Sequence, residues 1–296
     1  MISKTAMITI CGRPNVGKST LTNALAGEKI AIVSNKPQTT RNRITAVCQR
    51  GETQFVFLDT PGFHKPRTRL GDYMVNVVRQ SVADVDAVVL VVEPVASLGP
   101  QERELIASIK AANCPAVLAI NKLDTVEPEK LLAVIALYSE AYAFNAIFPI
   151  SAKTGDGVEE LLKELDKFAV ESPALFPEGV TTDQPEKQVC AELIREKLLL
   201  NLEREVPHGT AVEITRFSER DDGIIDLEAT IYCEKVSHKG IIIGKHGAML
   251  KKIGEDARKD IEEFMGTKVF LQTWVKVKEK WRDSNSLLRN FGYTDT

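Results

Sequence analysis

The sequence predicts an α/β fold: a phosphate-binding domain built on a mostly parallel sheet, followed by a smaller α+β domain. Three observations predict it. A glycine-rich stretch, Gly12-Arg13-Pro14-Asn15-Val16-Gly17-Lys18-Ser19, lies between a short apolar run and a helix-like segment. Up to Val170, apolar runs alternate with helical patterns, which is the signature of βα repetition. Residues 171–186 then carry Pro173, Pro177 and Pro185 without sustained periodicity and read as a linker.

Taken in order, residues 6–11 form the first apolar strand and 19–25 the helix after the glycine-rich loop. Residues 54–58, 88–93, 116–121 and 146–150 are further strands, with helical patterns at 102–111, 128–142 and 157–170. The run Val88-Val89-Leu90-Val91-Val92 is β-branched and nearly continuous, as expected of a central strand covered by helices on both faces. Beyond the linker, 186–205 is helical, and 211–217 and 225–233 are strands joined by a turn containing Asp221-Asp222-Gly223. A second helix at 246–264 puts Leu250, Ile253, Ala257, Ile261 and Phe264 near one face, and 268–278 alternates as a strand, giving an order close to α-β-β-α-β.

With 296 residues, 44% hydrophobic and 27% charged, the chain has the composition of a soluble globular protein able to bury a core without disulfides. Its five cysteines, at positions 11, 48, 114, 190 and 233, are scattered and lack paired spacing, so a reducing cytosol is expected and neither a disulfide framework nor a zinc site has support. No export signal and no membrane span are expected. The net charge of −3 hides an asymmetry: from Lys235 to Arg289 there are 13 Lys plus Arg against 7 Asp plus Glu. A basic region at the end of a mildly acidic protein points to a polyanionic partner.

The glycine-rich stretch has the G-x-x-x-x-G-K-S pattern. Its glycines let the backbone turn tightly and present N–H groups to phosphate oxygens, Lys18 bridges the outer phosphates, and Ser19 supplies an oxygen to Mg²⁺. Gly12, Asn15, Val16, Gly17, Lys18, Ser19 and Thr20 are therefore candidate contacts of a nucleoside triphosphate. Asp59-Thr60-Pro61-Gly62 ends an apolar run, which puts Asp59 near the metal and leaves the Gly62 N–H free to sense the last phosphate. Asn121-Lys122-Leu123-Asp124 also ends a strand, where α/β folds place ligands. Guanine offers two adjacent donors that one carboxylate can accept, which makes Asp124 the specificity residue. Asn121 and Lys122 shape that loop, and Ser151-Ala152-Lys153 completes the base pocket through the Ala152 N–H.

In the second domain, an apolar run ends in Gly244-Lys245-His246-Gly247 at the start of a helix. Paired glycines admit a nucleic-acid backbone, and Lys245 and the helix N-terminus meet phosphate, as in a single-stranded RNA clamp. Lys235, Lys239, Lys245, Lys251 and Lys252 surround the motif, with Lys276, Lys278, Lys280 and Arg282 further on, and His238 and His246 read as polar groove or surface residues.

These elements together resemble the Era family of ribosome-assembly GTPases over nearly the whole chain. The resemblance implies a GTPase domain at 1–172, a linker at 173–185, a type II KH domain at 186–282 and a tail at 283–296. Pro37-Gln38-Thr39-Thr40-Arg41 matches that family's first switch loop, and resemblance assigns Thr40 to Mg²⁺ and to sensing of the terminal phosphate. Mg²⁺ would then be held by Ser19, Thr40 and Asp59, and hydrolysis would rest on Asn15, Lys18, Thr40 and Gly62. The position that carries a water-orienting glutamine in Ras-like enzymes is Phe63, so slow intrinsic hydrolysis is expected, with K⁺ held at Asn15 in place of an arginine finger. Arg41 and Arg43 are either electrostatic contributors or solvated loop residues. The implied partners are the 3′ end of 16S ribosomal RNA, through Lys235, Lys239, Gly244, Lys245, His246, Gly247 and Lys251, and the 30S subunit or its precursor. A cytoplasmic monomer, with peripheral association at the inner membrane, completes the expectation.

Overall fold

The computed structural model describes residues 2–293. The chain divides into two compact units, one of residues up to Arg67 with Gly71–Asp183 and one of Thr68–Leu70 with the residues from Gln184 on.

The first unit contains β1 (Lys4–Cys11), α1 (Lys18–Ala26), β2 (Ile44–Arg50), β3 (Thr53–Asp59), α2 (Arg69–Val82), β4 (Ala87–Val92), α3 (Pro100–Ala112), β5 (Ala116–Ile120), α4 (Glu129–Ala141), β6 (Ala146–Pro149), α5 (Val158–Leu165) and the two-residue β7 (Val170–Glu171). The strand order is β2-β3-β1-β4-β5-β6, with β7 pairing β1. All pairings are parallel except β2 on β3 and β7 on β1. Alternation along each strand feeds two cores. Ile8, Ile10, Phe57, Val89 and Val91 pack with Leu21 and Leu25 of α1 and Leu161 and Leu165 of α5. On the other face Val88, Leu90 and Val92 pack with Val75 and Val78 of α2, Leu105 and Ile109 of α3, and Val134 and Tyr138 of α4. With both faces covered, the ends of β1, β3, β4, β5 and β6 are left to carry the loops.

Two elements were not legible as periodic segments. β2 is an edge strand whose last residues are exposed, so its apolar signal is short. α2 is rich in β-branched residues and follows a Pro- and Arg-containing loop, which weakens its helical propensity, although Leu70, Met74, Val75 and Val78 form a buried stripe. The helix expected at 157–170 stops at Leu165, and the chain passes through a 3₁₀ turn into β7.

The segment expected as a linker is strapped to the first unit. The Gln54 side chain accepts from the N–H groups of Leu175 and Phe176 and donates to the Phe176 carbonyl at 2.9 Å. Val47 N–H donates to the Thr181 carbonyl at 2.7 Å, and Thr182 Oγ1 donates to the Thr45 carbonyl at 2.7 Å. The open edge of β2 thereby finds backbone partners in a segment that has no periodicity of its own.

The second unit contains α6 (Glu186–Asn201), β8 (Ala211–Glu219), β9 (Ile225–Cys233), α7 (Val236–Ile243), α8 (Ala248–Met265), β10 (Val269–Val277) and α9 (Asn285–Asn290). Its sheet order is β10-β9-β8, with β9 parallel to β10 and antiparallel to β8. α7 corrects the expected order: Ile241-Ile242-Ile243 is the end of a short helix, hidden from propensity by three β-branched residues and Gly240. The expected tail also folds, at least to Tyr293. Ser284 caps α9 by accepting from Leu287 N–H, and the fully buried Trp281 packs edge-on to Phe291 at 5.4 Å and stacks on Tyr293 at 6.1 Å.

Candidate functional site

The glycine-rich loop joins β1 to α1, and backbone geometry explains its glycines. Gly12 has φ +153°, and a Cβ there would lie 2.3 Å from the Val91 carbonyl oxygen. Gly17 has φ +96°, and a Cβ there would lie 2.2 Å from Asn121 Nδ2. No other residue type fits either position without moving backbone or the base loop. The exposed Asn15 is also left-handed, at φ 66°. Lys18 is buried and donates to the Arg13 carbonyl at 3.0 Å. Burial pulls its pKa down, opposed by the nearby Asp59 carboxylate.

Ser19, Thr40 and Asp59 converge from α1, the loop before β2 and the end of β3. Ser19 Oγ donates to Asp59 Oδ2 at 2.6 Å and lies 2.8 Å from Thr40 Oγ1, which is 3.5 Å from the same carboxylate oxygen. Asp59 is fully buried, and burial raises its pKa to about 6 despite Lys18 and the hydroxyl donors. Its Oδ1 is buried with no hydrogen-bond partner among the described residues. A buried carboxylate oxygen without a donor, beside two hydroxyls, is a set of hard oxygen ligands suited to Mg²⁺. Thr20, Lys36, Gln38 and Thr39 line the same cleft with Lys18, Ser19 and Gly62. Gly62 sits where a Cβ would come within 2.7 Å of Pro14 Cα, so the loop after β3 is pressed against the glycine-rich loop.

The base side is as tightly wired. Asn121 Nδ2 donates to the Val16 carbonyl at 2.8 Å, and its Oδ1 accepts from Ala152 N–H at 2.9 Å, which links three loops through one amide. Ser151, itself buried, donates to Asp124 Oδ1 at 2.7 Å and accepts from Thr154 N–H. Asp124 stays exposed, its carboxylate held through Ser151, and Lys153 is exposed as well. The structure thus joins Ser19, Thr40 and Asp59 on the phosphate side, Asp124 and Ser151 on the base side, and the two sides through Asn121 with Val16 and Ala152.

The structure settles one alternative for Arg41 and adds a packing role for Phe63. Arg41 is 1% exposed, so it is no solvated loop arginine, whereas Arg43 is exposed. Phe63 is 3% exposed and packs with Val75, Val78 and Leu90, with its N–H on the Gly12 carbonyl. It belongs to the core beneath the cleft, which gives a packing reason for an apolar residue at that position.

In the second unit, Gly244-Lys245-His246-Gly247 joins α7 to α8. Gly244 has φ +73°, and a Cβ there would lie 2.7 Å from Met249 Cβ; Gly247, at φ +80°, faces open space. His246 is left-handed at φ 52°. Lys235, Lys245, His246 and Lys251 are exposed and Lys239 half-buried. An adjoining groove runs along α8 to β10, lined by Gly247, Leu250, Lys251, Gly254, Arg258 and Leu271. The reading of α8 placed Leu250 and Phe264 near one face with Ile253, Ala257 and Ile261 and did not foresee the groove. Only Ile253, Ala257 and Ile261 of that set are buried, while Leu250 lines the groove and Phe264 is 39% exposed. The available signal was Gly254, a glycine inside a helix that costs about 1 kcal/mol relative to alanine and leaves space above it. His238 is also corrected: at 5% exposure it is buried in α7 and is no surface residue. Arg282 is paired with Glu234 at 2.5 Å, and Lys276, Lys278 and Lys280 remain exposed.

A phosphate-loop fold with an N-K-x-D base loop, followed by a helix-strand-strand-helix unit with a G-x-x-G turn, defines a P-loop GTPase that carries a type II KH domain. Residues 7–122 match the family described as 50S ribosome-binding GTPase, and residues 205–282 match the KH domain. The chain belongs to the GTPase Era family. It is 53% identical over 293 residues to the GTPase Era of Ruminiclostridium cellulolyticum, covering 99% of this chain and 98% of that protein. To the GTPase Era of Clostridioides difficile it is 48% identical over 294 residues, covering 99% of each. Among solved structures it is similar to Era in complex with MgGDPNP and nucleotides 1506–1542 of 16S ribosomal RNA, with a TM-score of 0.95 and 36% identity over 99% of this chain and all of that one. A single-residue variant of Aquifex aeolicus Era bound to GDP·AlF4⁻ is similar to the same degree. Among the described residues, no helix is long and apolar enough to cross a membrane.

Proposed function

We propose that this GTPase is a nucleotide-controlled RNA-binding switch that acts on the 3′ end of 16S ribosomal RNA during maturation of the 30S subunit, in the cytoplasm. The observation that carries the reading is one chain holding two separately built sites for phosphate-bearing ligands: the glycine cradle with Lys18 beside the cation-holding Ser19–Thr40–Asp59 cluster, and the Gly244–Gly247 turn opening onto a groove. The similar Era structure that holds MgGDPNP and nucleotides 1506–1542 of 16S ribosomal RNA supports both ligands.

In this reading the N–H groups of residues 12–20 and the helix end at Lys18 receive the phosphates of GTP. Ser19, Thr40 and Asp59 hold Mg²⁺, which when bound neutralises charge on the outer phosphates. Lys18, already desolvated, meets the same oxygens without losing further hydration. Asp124, oriented by Ser151, accepts the two guanine donors, whereas the Ala152 N–H, expected to face the guanine carbonyl, is engaged by Asn121 Oδ1 and holds the base loop in place. Gly62 and Thr40 respond to the terminal phosphate, and Asn15 holds K⁺. Lys235, Lys239, Lys245, His246 and Lys251 attract the RNA backbone, while Leu250 and Leu271 give the groove an apolar floor for unstacked bases.

The test is the affinity of the purified protein for an RNA copy of nucleotides 1506–1542, beside a scrambled control, with a non-hydrolysable GTP analogue or GDP present. Preference for the cognate RNA that shifts with the nucleotide is expected. Equal binding of both RNAs in both states would remove the assembly-switch reading and leave a GTPase with another partner.

A further inference from the structure

The phosphate side and the base side of the nucleotide site share a carboxylate that none of the motifs contains. Glu93 follows β4 between the two loops. Its Oε1 accepts from Lys122 Nζ at 2.5 Å, and its Oε2 lies 3.6 Å from Arg13 Nη2. Arg13 also meets Glu102 through Nε, and Glu102, at the start of α3, is 1% exposed. The Arg13 carbonyl is the acceptor for Lys18 Nζ. A continuous path therefore runs from the phosphate-facing lysine through Arg13 and Glu93 to the base-loop lysine.

Lys122 needs such a partner. Its backbone is left-handed at φ 70°, a conformation lysine rarely adopts, and it is maintained because the Lys122 carbonyl accepts from both the N–H (3.0 Å) and the hydroxyl (2.7 Å) of Thr125. The backbone is fixed by those bonds, but a four-carbon side chain is not, and a free lysine would sample many rotamers. The ion pair with Glu93 restricts it to one.

We propose that Glu93 is a positioning residue for guanine-nucleotide binding: by holding Lys122 and Arg13 at once, it fixes the lysine stem beside the base and the glycine-rich loop beside the phosphates as one preorganised unit. The proposal rests on the reading of Asn121–Asp124 as the base loop. Glu93 acts through Lys122 and Arg13 and is assigned no contact with the nucleotide. Because its side chain and those of its two partners are about one-third exposed, the expected effect is modest.

Fluorescent GDP and GTP-analogue titrations on the full chain would test this with Glu93→Gln, Glu93→Asp, Lys122→Ala and the double variant Glu93→Gln/Lys122→Ala. Glu93→Gln should weaken both nucleotides by about fivefold, the upper end for a partly exposed ion pair, and should raise KM with kcat unchanged. Glu93→Asp should recover part of the affinity. In the Lys122→Ala background the Glu93→Gln loss should shrink, because its main partner has gone. Unchanged affinity in Glu93→Gln, or an undiminished loss on top of Lys122→Ala, overturns the proposal. If Lys122→Ala itself binds normally, the base-loop reading fails as well, whereas a weakened Lys122→Ala beside a normal Glu93→Gln sinks Glu93 alone.

Discussion

The two candidate sites handle charge in opposite ways. The first buries it: Lys18 and Asp59 lie beneath the cleft, and Asp59 keeps one oxygen without a donor. The second displays it: Lys235, Lys245 and Lys251 stand in solvent around an exposed turn, and a carboxylate of α8, Glu262, is satisfied by Val269 N–H and Lys268. A small, highly charged ligand rewards a preorganised and desolvated cradle, because few contacts must supply all the affinity. A long polyanion is held by many screened contacts, so its site can remain open and pay little desolvation. The difference in burial therefore follows from the size of the ligand each unit is built to receive.

The largest test of that contrast is Gly17→Ala. The new Cβ would meet Asn121 in a left-handed backbone position, and we expect a loss of about 2 kcal/mol in stability and more than about 100-fold in nucleotide affinity. RNA binding without nucleotide should persist, as read by titration and thermal melting. Next, replacing Lys245 and His246 by aspartates should lower RNA affinity by about 100-fold at low salt and flatten its salt dependence. GTP turnover should continue; if it stopped, the two sites would not be separate.

Asp124→Asn should weaken GTP by about 10- to 100-fold, through loss of hydrogen bonds to a charged acceptor, without altering RNA affinity in the absence of nucleotide. Equal GTP affinity in that variant would refute the base assignment. A smaller effect is expected of Gly254→Ala. Its Cβ enters open space, so the second unit should gain about 1 kcal/mol in helix stability while RNA binding weakens, because the groove above it narrows. Unchanged RNA affinity would mean that bases do not lie over this turn of α8.

The smallest effect is one of sign. Burial lifts the pKa of Asp59 from 3.8 to about 6, so in ligand-free protein its contribution favours the fold at low pH and is lost as pH rises through about 6. Glu262 is lowered, first by the Val269 N–H bond, so its contribution is present above the ordinary carboxylate range and disappears as pH falls through its depressed value. Hydrogen exchange followed separately at β3 and at β10 should give opposite pH trends. Asp59→Asn should flatten the first and Glu262→Gln the second, and parallel trends would contradict the contrast in burial.

Much of this was legible in the linear chain because glycine, proline and motif spacing report on backbone geometry directly. Gly12, Gly17 and Gly244 occupy the positive-φ, tightly packed positions that their motifs require, and Asp59, Asn121 and Ser151 fall at the ends of strands predicted by apolar runs. The misses have a common cause. α7 and α2 are rich in β-branched residues, β2 is a half-exposed edge, and α9 is short; each is held by contacts with other elements more than by its own propensity. Phe63 and Arg41 could be placed in a loop from sequence but not as buried residues; the burial of Phe63 depended on α2 and the sheet closing over it.

By itself, then, the sequence determined the α/β class, the position of the glycine turns and the placement of the motif residues at strand ends and at the start of a helix, because local backbone constraints and side-chain chemistry are encoded residue by residue. Tertiary structure alone decided that one amide, Asn121, ties the phosphate and base loops together, that Glu93 joins Arg13 to Lys122, and that the proline-rich segment straps onto β2. Those contacts join residues from about 29 to 137 positions apart, a separation that no local pattern records and only the packed chain can bring within hydrogen-bonding distance.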